Sequence, residues 1–250
     1  MKNSTRDFIY LCSQSASRKQ LLEIADISYK TLSHTSDEIE SDTSPEFSLR
    51  VLAIAKDKMK SVVLPDYSEY MVDAKKGASA VAKAMADRRP AVSVEALSED
   101  WKEASVSKGA TRPIFVLTAD TLIRATLSNQ VLGKPRDINH ARDMIGLLRR
   151  EPAEVVTGCC LEKRIYENGA WQLQDTISWT TSSIAEFIID EAMVEQYFEK
   201  VPFFLNIAAG CAVEGYGQSF LKSVNGSYTG ILGLPLFELR QALKKLDFKF

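Results

Sequence analysis

Hydroxyl, basic and acidic side chains gather at four places in this sequence that could carry out chemistry. The first is Ser13-Gln14-Ser15-Ala16-Ser17-Arg18-Lys19, which follows a short apolar run. The others are the acidic pair Asp37-Glu38, the carboxylate of Asp120 after a second apolar run, and Lys134 in a Gly-Lys-Pro stretch. Phosphate is the ligand that hydroxyls, helix N-termini and cations have in common.

Each of the four places also has an ordinary structural explanation. Ser17 followed by Gln20 fits a capping box, so the first cluster could simply begin a helix. Asp37-Glu38 could form a surface turn, Asp120 could cap a helix or turn, and Lys134 could stand at a hairpin tip. Asp120 is the most informative of these residues, because a carboxylate at the end of a buried strand is costly unless it is paired or bound to a metal.

Several familiar catalytic and metal-binding motifs do not occur in the sequence. His34 and His140 are the only histidines, and both sit in polar stretches, which disfavours a Ser-His or Cys-His hydrolase. No P-loop motif occurs. The four cysteines lack C-x-x-C spacing, so we expect buried free thiols rather than structural zinc. Carboxylates and cations without a nucleophile favour metal-assisted chemistry on a phosphate.

Length and charge exclude further classes of function. The chain has 250 residues, with 31 Lys+Arg against 33 Asp+Glu and a formal net charge of −2. This balance leaves no basic excess with which to bind a nucleic acid polymer. No apolar run approaches the roughly 20 residues of a membrane helix, and the N-terminus does not resemble a signal peptide. We therefore expect a globular, cytoplasmic protein that binds neither nucleic acid nor membrane.

Apolar runs and amphipathic stretches alternate along the chain, which predicts an α/β or α+β architecture. Strands are predicted at Phe8–Cys12, Ile27–Leu32, Ile114–Thr118, Val155–Leu161 and Trp171–Thr180. Helices are predicted to begin near Ser17, Ser44-Pro45, Asp137, Asp190 and Leu234-Pro235. Asp120 then follows the strand with the most convincing apolar run, and Lys56 lies on the second helix. Residues 66–112 are rich in Ala, Ser, Lys and alternating charge, so we expect an insertion within a single domain spanning 1–250.

Seven short motifs, taken in order, resemble those of the Maf family of nucleoside triphosphate pyrophosphatases. The family's S-x-S-P-R-R-x-x-L-L resembles residues 13–22, its D-E resembles Asp37-Glu38, and its L-A-x-x-K resembles Leu52 to Lys56. Its remaining motifs A-D-T, L-G-K-P-x-D, V-x-T-G and G-L-P-L resemble Ala119–Thr121, Leu132–Asp137, Val155–Gly158 and Gly233–Leu236. Together the motifs span nearly the whole chain.

The resemblance implies a fold, a reaction and a set of site residues. The fold would be α/β, with an elongated, twisted mixed sheet flanked by helices in two lobes around a central cleft, assembled as a homodimer. The reaction would be hydrolysis of a nucleoside triphosphate to the monophosphate and pyrophosphate, with Mg²⁺ or Mn²⁺ as cofactor. Asp120 would be the general base and would share the metal with Glu38. The triphosphate would be bound by Ser13, Ser15, Arg18, Lys56 and Lys134. The nucleobase would be selected by Ser17, Thr121 and Glu214.

The chain departs from the family pattern at three places. Ala16-Ser17 replaces the first P-R of the family's S-x-S-P-R-R. The family's D-K-A-G-A-Y-G-I-Q-G segment aligns with Asn206 to Gly215, and there Ile207 replaces the lysine and Glu214 replaces the glutamine. The missing lysine and arginine favour one alternative, a nucleotide-binding regulatory protein with weak or no turnover. A third hypothesis is a structural or interaction protein that uses residues 66–112 as a docking element.

Overall fold

The computed structural model describes residues 6–35, 46–68, 70 and 112–250. The strands are β1 (Ile9–Cys12), β2 (Tyr29–Thr31), β3 (Ile114–Ala125), β4 (Val131–Leu132), β5 (Ala153–Glu167), β6 (Ala170–Phe187) and β7 (Leu221–Asn225). The helices are α1 (Ala16–Ile24), α2 (Phe47–Lys60), α3 (Ile138–Leu148), α4 (Glu191–Lys200), α5 (Tyr228–Ile231) and α6 (Leu236–Lys245). Three short 3₁₀ helices lie between α4 and β7, at Phe204–Asn206, Ala208–Gly210 and Gly215–Phe220.

The strands form one seven-stranded mixed sheet in the order β2-β1-β3-β5-β6-β7, and β4 also pairs with β3. β1 runs parallel to β2 and β3, whereas the other pairs are antiparallel. The long β5–β6 hairpin turns at Asn168 and Gly169, which both have positive φ, as a two-residue hairpin turn requires. These observations confirm the predicted α/β class with a mixed sheet flanked by helices.

One face of the sheet carries two hydrophobic cores separated by a row of threonines. Core A packs α1 and α6 against residues of the first half of β3, such as Leu117. Core B packs α3 and α4 against residues further along the strands, such as Ala125. Thr121, Thr157 and Thr181 are aligned on β3, β5 and β6 between the two cores. The threonine row therefore marks the boundary between core A and core B on this face of the sheet.

The opposite face of the sheet is covered closely by α2. Thr118 Oγ1 donates a hydrogen bond of 2.7 Å to the backbone oxygen of Ala55 on this helix. Gly158 of β5 lies beneath the helix, where a Cβ atom would be only 2.9 Å from Leu52 Cα and from Val51 O. The missing side chain at Gly158 therefore allows α2 to approach the sheet closely.

Several predicted boundaries are wrong: β5 and β6 run to Glu167 and Phe187 rather than to Leu161 and Thr180. Two further differences have identifiable reasons. The N-cap of α1 is Ser15, whose Oγ accepts from Arg18 N at 3.4 Å, rather than Ser17, which lies in the first helical turn. β3 does not end at Thr118 but continues to Ala125, because Asp120 and Thr121 stay paired with Gly158 and Thr157 of β5. The predicted helix start at Ser44-Pro45 lies outside the described residues, and α2 is described from Phe47.

An aromatic cluster holds the two chain segments that flank residues 71–111. Tyr70 Oη donates a hydrogen bond of 3.2 Å to the backbone oxygen of Arg112. The Tyr70 ring also meets the Trp171 ring edge-on, with centroids 5.2 Å apart. Trp171 Nε1 in turn donates to Pro65 O at 2.9 Å. The chain therefore leaves and rejoins the fold at one point, and most of the predicted 66–112 insertion lies outside the described residues.

This closure leads to a prediction about the segment 71–111. We expect that replacing it with a short Gly-Ser linker between Tyr70 and Arg112 keeps the fold, because the contacts at both ends lie outside the replaced part. The temperature of thermal unfolding should change by no more than about 2–4 °C, equivalent to roughly 1 kcal/mol for a chain of this size. The control is Tyr70→Phe in the full chain, which removes the hydrogen bond to Arg112. Loss of a cooperative unfolding transition in the shortened protein would contradict this interpretation.

All four cysteines are buried and free, as the sequence predicts. Burial raises the pKa of the Cys12 and Cys160 thiols to about 11 and the pKa of the Cys159 and Cys211 thiols to about 12. The thiols are therefore protonated and unreactive at neutral pH. Within the described part of the chain, no helix combines the length and the apolar character needed to cross a membrane.

Candidate active site

The edge of β3 is interrupted at residues 119–122. β1 pairs with β3 only as far as Thr118, and β4 pairs with it only at Ile123 and Arg124. Between these points the described residues place no strand on this side of β3, although β5 pairs with its other side throughout. We call this interruption the β3 notch. The carboxyl end of a parallel strand beside such a break is where open α/β sheets bind their ligands.

Asp120 and Thr121 both lie in the β3 notch but on opposite faces of the sheet. Successive residues of a strand point to alternate faces. Asp120 points toward α2, and Thr121 lies in the threonine row beside Thr157, with 2.8 Å between their hydroxyl oxygens. Because no strand among the described residues covers the open side of the notch, a ligand there can contact groups from both faces at once.

A lysine of α2 reaches Asp120 from one face. Lys58 Nζ donates to Asp120 Oδ1 at 2.5 Å, and the two side chains are only 12% and 15% exposed. Lys56, the predicted phosphate ligand, is exposed, and no described contact joins it to Asp120. Two residues along a helix are about 200° apart, so only one of these lysines can point to the notch. The structure therefore brings Lys58 to Asp120 instead of Lys56.

The sequence contains a signal for Lys58 that our motif assignment missed. The pattern of an apolar residue, Ala, two variable residues and Lys occurs at Leu52 to Lys56 and again, two residues later, at Ile54 to Lys58. In the second position the alanine is Ala55, which is fully buried and accepts the hydrogen bond from Thr118. Sheet contact therefore favours the second register of the family's L-A-x-x-K motif.

Arg18 reaches the notch from the other face and is largely buried. Its Nε donates to Gly233 O at 2.8 Å, Nη1 donates to Ser13 Oγ at 3.0 Å, and Nη2 donates to Thr121 Oγ1 at 3.1 Å. These three acceptors are uncharged, and within the described ranges no carboxylate forms a direct ion pair with Arg18. Burial lowers the pKa of the guanidinium, and the negative charge of Asp120 partly opposes this shift. The site therefore holds a positive charge that a bound anion would neutralise.

Ser13 and Ser15 shape the turn between β1 and α1. Ser13 Oγ accepts from Ser15 N at 3.2 Å as well as from Arg18, and Ser15 caps the helix. The turn brings the N-terminal end of α1 to the end of β1, next to the notch. Free backbone N–H groups at a helix N-terminus attract anions.

Lys134 belongs to the loop that bounds the other end of the notch. β4 pairs antiparallel with β3 through Leu132 and Ile123, so the chain leaves β4 in the direction of the notch. Gly133 O then accepts from Ala209 N at 2.9 Å, which ties this loop to the segment preceding Glu214. Lys134 is exposed at this end, whereas Ser13 and Arg18 lie at the end of β1.

Ser17 and Glu214, two predicted specificity residues, contact each other. Ser17 Oγ donates to Glu214 Oε2 at 2.7 Å. Ser17 belongs to α1 of core A, whereas Glu214 follows Ala212 and Val213, which pack on core B. The hydrogen bond therefore joins the two cores across the row of threonines. Ile207, at the position of the expected lysine, also packs on core B, so an apolar contact occupies that position.

The predicted metal ligands are described only in part. Glu38 and its neighbour Asp37 lie outside the described residues. Across the ranges that the structure does describe, no group of three or more His, Cys, Asp and Glu side chains could hold an ion. Asp120 supplies one carboxylate at the notch. This donor fits Mg²⁺ or Mn²⁺ in a nucleotide site, because such ions take one or two carboxylates and complete their shell with phosphate oxygens and water.

Known proteins similar to this chain include nucleotide hydrolases. A dTTP/UTP pyrophosphatase of Alkalilimnicola ehrlichii is 27% identical over 251 residues, which cover 100% of this chain and 98% of the relative. A dTTP/UTP pyrophosphatase of Ruminiclostridium cellulolyticum is 30% identical over 138 residues, or 54% of this chain and 65% of the relative. A nucleoside triphosphate pyrophosphatase of Rickettsia typhi is 26% identical over 149 residues, which cover 60% of this chain and 63% of the relative. The last two matches cover less than two thirds of the relatives' own length.

A family model gives the more complete match. The model described as Maf-like protein matches residues 8–246. The matched range includes the turn that carries Ser13 and Arg18, the β3 notch with Asp120, and the segment that carries Glu214. The resemblance inferred from the seven motifs is therefore confirmed at the level of the family. This chain belongs to the family of Maf-like proteins.

Proposed function

We propose that this protein hydrolyses a nucleoside triphosphate to the monophosphate and pyrophosphate, at the β3 notch. The observation that carries the proposal is the approach of two cations, Arg18 and Lys58, to Asp120 from opposite faces of the sheet. A triphosphate has several negative charges in a row, so it can neutralise both cations when it lies in the notch. The names of the relatives support the same reaction.

In the proposed reaction, water attacks the α-phosphorus and the bond from that phosphorus to the α–β bridging oxygen breaks. Pyrophosphate leaves with the bridging oxygen, and Asp120 takes the proton from the attacking water. Arg18 and Lys58 hold the phosphate oxygens, together with Lys134 and the N–H groups that follow Ser13 and Ser15. Asp120 and Glu38 would hold a Mg²⁺ or Mn²⁺ ion, and this ion would supply positive charge near the phosphate oxygens.

A pyrophosphate-release screen tests this function. The protein is assayed with canonical and base-modified nucleoside triphosphates, each with Mg²⁺ and with Mn²⁺. Release of pyrophosphate together with the matching monophosphate supports the proposal. Tight binding of a nucleotide without release from any substrate would instead identify the protein as a regulatory nucleotide-binding member, the alternative that Ile207 favours.

We further propose that Glu214 selects the nucleobase. An ionised carboxylate only accepts hydrogen bonds. One oxygen of Glu214 already accepts from Ser17, and the described contacts include none at its other oxygen, Oε1. That oxygen favours base edges rich in donors, such as those of guanine and cytosine. The edge of uracil or thymine has one N–H between two carbonyls, and these carbonyls would face the negative charge.

This selection gives a prediction that differs from the names of two relatives, which are dTTP/UTP pyrophosphatases. We expect kcat/KM for the guanosine or cytidine substrate to exceed that for the uridine or thymidine substrate by about tenfold, since an unfavourable polar contact costs roughly 1 kcal/mol or more. Glu214→Gln should reduce the ratio, whereas Glu195→Gln changes an exposed carboxylate that pairs with Arg142 and should preserve it. A wild type that prefers uridine or thymidine, with no change in Glu214→Gln, would contradict the role of Glu214.

Assembly and location are also part of the proposal. The family resemblance supports a homodimer, which light scattering of the purified protein would test. Four buried thiols without a disulfide fit a reducing compartment, and this supports the cytoplasm as the location.

A further inference from the structure

The carboxylate of Asp120 already has a cation beside it. Lys58 Nζ lies 2.5 Å from Asp120 Oδ1, and both side chains are more than four-fifths buried. The ammonium group takes one of the lone-pair positions of Oδ1 and places a positive charge close to both carboxylate oxygens, so a metal ion at Asp120 would meet that charge at short range. Lys58 therefore competes with a metal ion for the negative charge of Asp120.

The surrounding charges also oppose a metal ion that arrives alone. Arg18 is buried on the other face of the strand and close enough to interact electrostatically with Asp120. The described part of the notch thus has two positive charges for the one negative charge of Asp120. Charges interact strongly at a partly buried site, where the effective dielectric constant is lower than in water. A dication would meet net repulsion there until further negative charge enters.

We propose that Lys58 blocks the metal position at Asp120 in the free protein, so that the metal is bound only together with the triphosphate. The phosphate oxygens attract the ammonium group of Lys58 away from the carboxylate, and Asp120 then becomes available to the ion. The inference rests on the proposed function, since it assumes that the site binds a metal and a triphosphate. It follows that the metal raises the affinity of the protein for the nucleotide, and that the nucleotide raises its affinity for the metal by the same factor.

Mn²⁺ binding to the protein without turnover tests this coupling. Free and bound Mn²⁺ are measured by electron paramagnetic resonance, with and without a triphosphate analogue that has a methylene group between the α- and β-phosphorus. We expect weak Mn²⁺ binding to the free wild type. In Lys58→Met, which removes the charge and keeps the length of the side chain, Mn²⁺ should bind to the free protein at least about tenfold more tightly, because one repulsive charge is gone and the carboxylate is unoccupied.

Two controls make the result specific to the ion pair. Lys60→Met changes the same charge on the same helix, but Lys60 is exposed and pairs with Asp57 at the surface, so this variant should bind Mn²⁺ like the wild type. Adding Asp120→Asn to Lys58→Met should abolish the gain. Lys58→Gln provides a second variant without the charge, this time with a polar side chain. Thermal unfolding shows whether each variant is folded. Unchanged Mn²⁺ affinity in both folded Lys58 variants, or a gain that survives Asp120→Asn, would overturn the proposal.

Failure of the proposed function has a different signature. If no triphosphate releases pyrophosphate, the proposed reaction is wrong, but Mn²⁺ binding to free Lys58→Met still reports whether Lys58 occupies the metal position. If pyrophosphate is released and Lys58→Met shows no gain, the reaction stands and the blocking role of Lys58 is wrong.

Discussion

Replacing Asp120 with Asn should lower the rate of pyrophosphate release by a factor of about 10² or more, the usual scale for loss of a positioned general base. The amide cannot take a proton from water and binds a cation weakly. It has nearly the same size and can still accept the hydrogen bond from Lys58 through Oδ1. The fold should therefore persist, which thermal unfolding and circular dichroism would show while kcat is measured with saturating metal and nucleotide.

Asp57→Asn is the matched control for this variant. Asp57 lies on α2, next to Lys58 in sequence, but it is about half exposed and pairs with Lys60 at the surface. Its replacement removes one carboxylate near the site without altering the notch, so kcat should stay close to that of the wild type. Near-normal turnover in Asp120→Asn would rule out Asp120 as the general base.

The second large effect is expected at Gly158, where α2 contacts the sheet. A Cβ in Gly158→Ala would lie 2.9 Å from two backbone atoms of the helix, and backbone cannot move aside as a side chain does. The helix must shift away from β5, and such overpacking typically costs 1–3 kcal/mol, or roughly 2–12 °C in unfolding temperature for a chain of this length. Because Lys58 is on the same helix, turnover should fall as well.

Gly146→Ala is the control for the substitution at Gly158. Gly146 lies inside α3, where an added Cβ would contact only the end of the Arg150 side chain, at 3.6 Å. Alanine is favoured over glycine inside a helix by roughly 0.5–1 kcal/mol, so this variant should be as stable as the wild type or more stable. Equal unfolding temperatures for Gly158→Ala and Gly146→Ala would contradict the close packing of α2 on β5.

The sequence alone predicts much of this fold. The apolar run at Ile114–Thr118, the Glu167-Asn168-Gly169 turn and the cap at Asp137 correspond to β3, the β5–β6 hairpin and the start of α3. These features are local, because apolar runs, turn residues and helix caps depend on near neighbours in the chain. The extension of β3 beyond Thr118 was not predicted, since it depends on pairing with β5, which no local pattern reveals.

The site is harder to derive for the same reason. The motifs identify Ser13, Arg18 and Asp120, which lie at the notch, but the choice between Lys56 and Lys58 depends on how α2 is rotated against the sheet. The contact between Ser17 and Glu214 joins residues almost at opposite ends of the chain. Both residues depart from the family pattern, and this shared departure is the one signal in the sequence that connects them.

The burial of all four thiols makes the protein a convenient subject for spectroscopic labelling. Thiol reagents attack the thiolate, and burial together with a pKa of about 11 or 12 keeps each native cysteine from reacting near neutral pH. One cysteine introduced at an exposed position therefore accepts a spin label or fluorophore alone, with every native cysteine left in place. Exposed Gln14, beside the turn between β1 and α1, is a suitable position from which such a probe reports nucleotide binding at the notch.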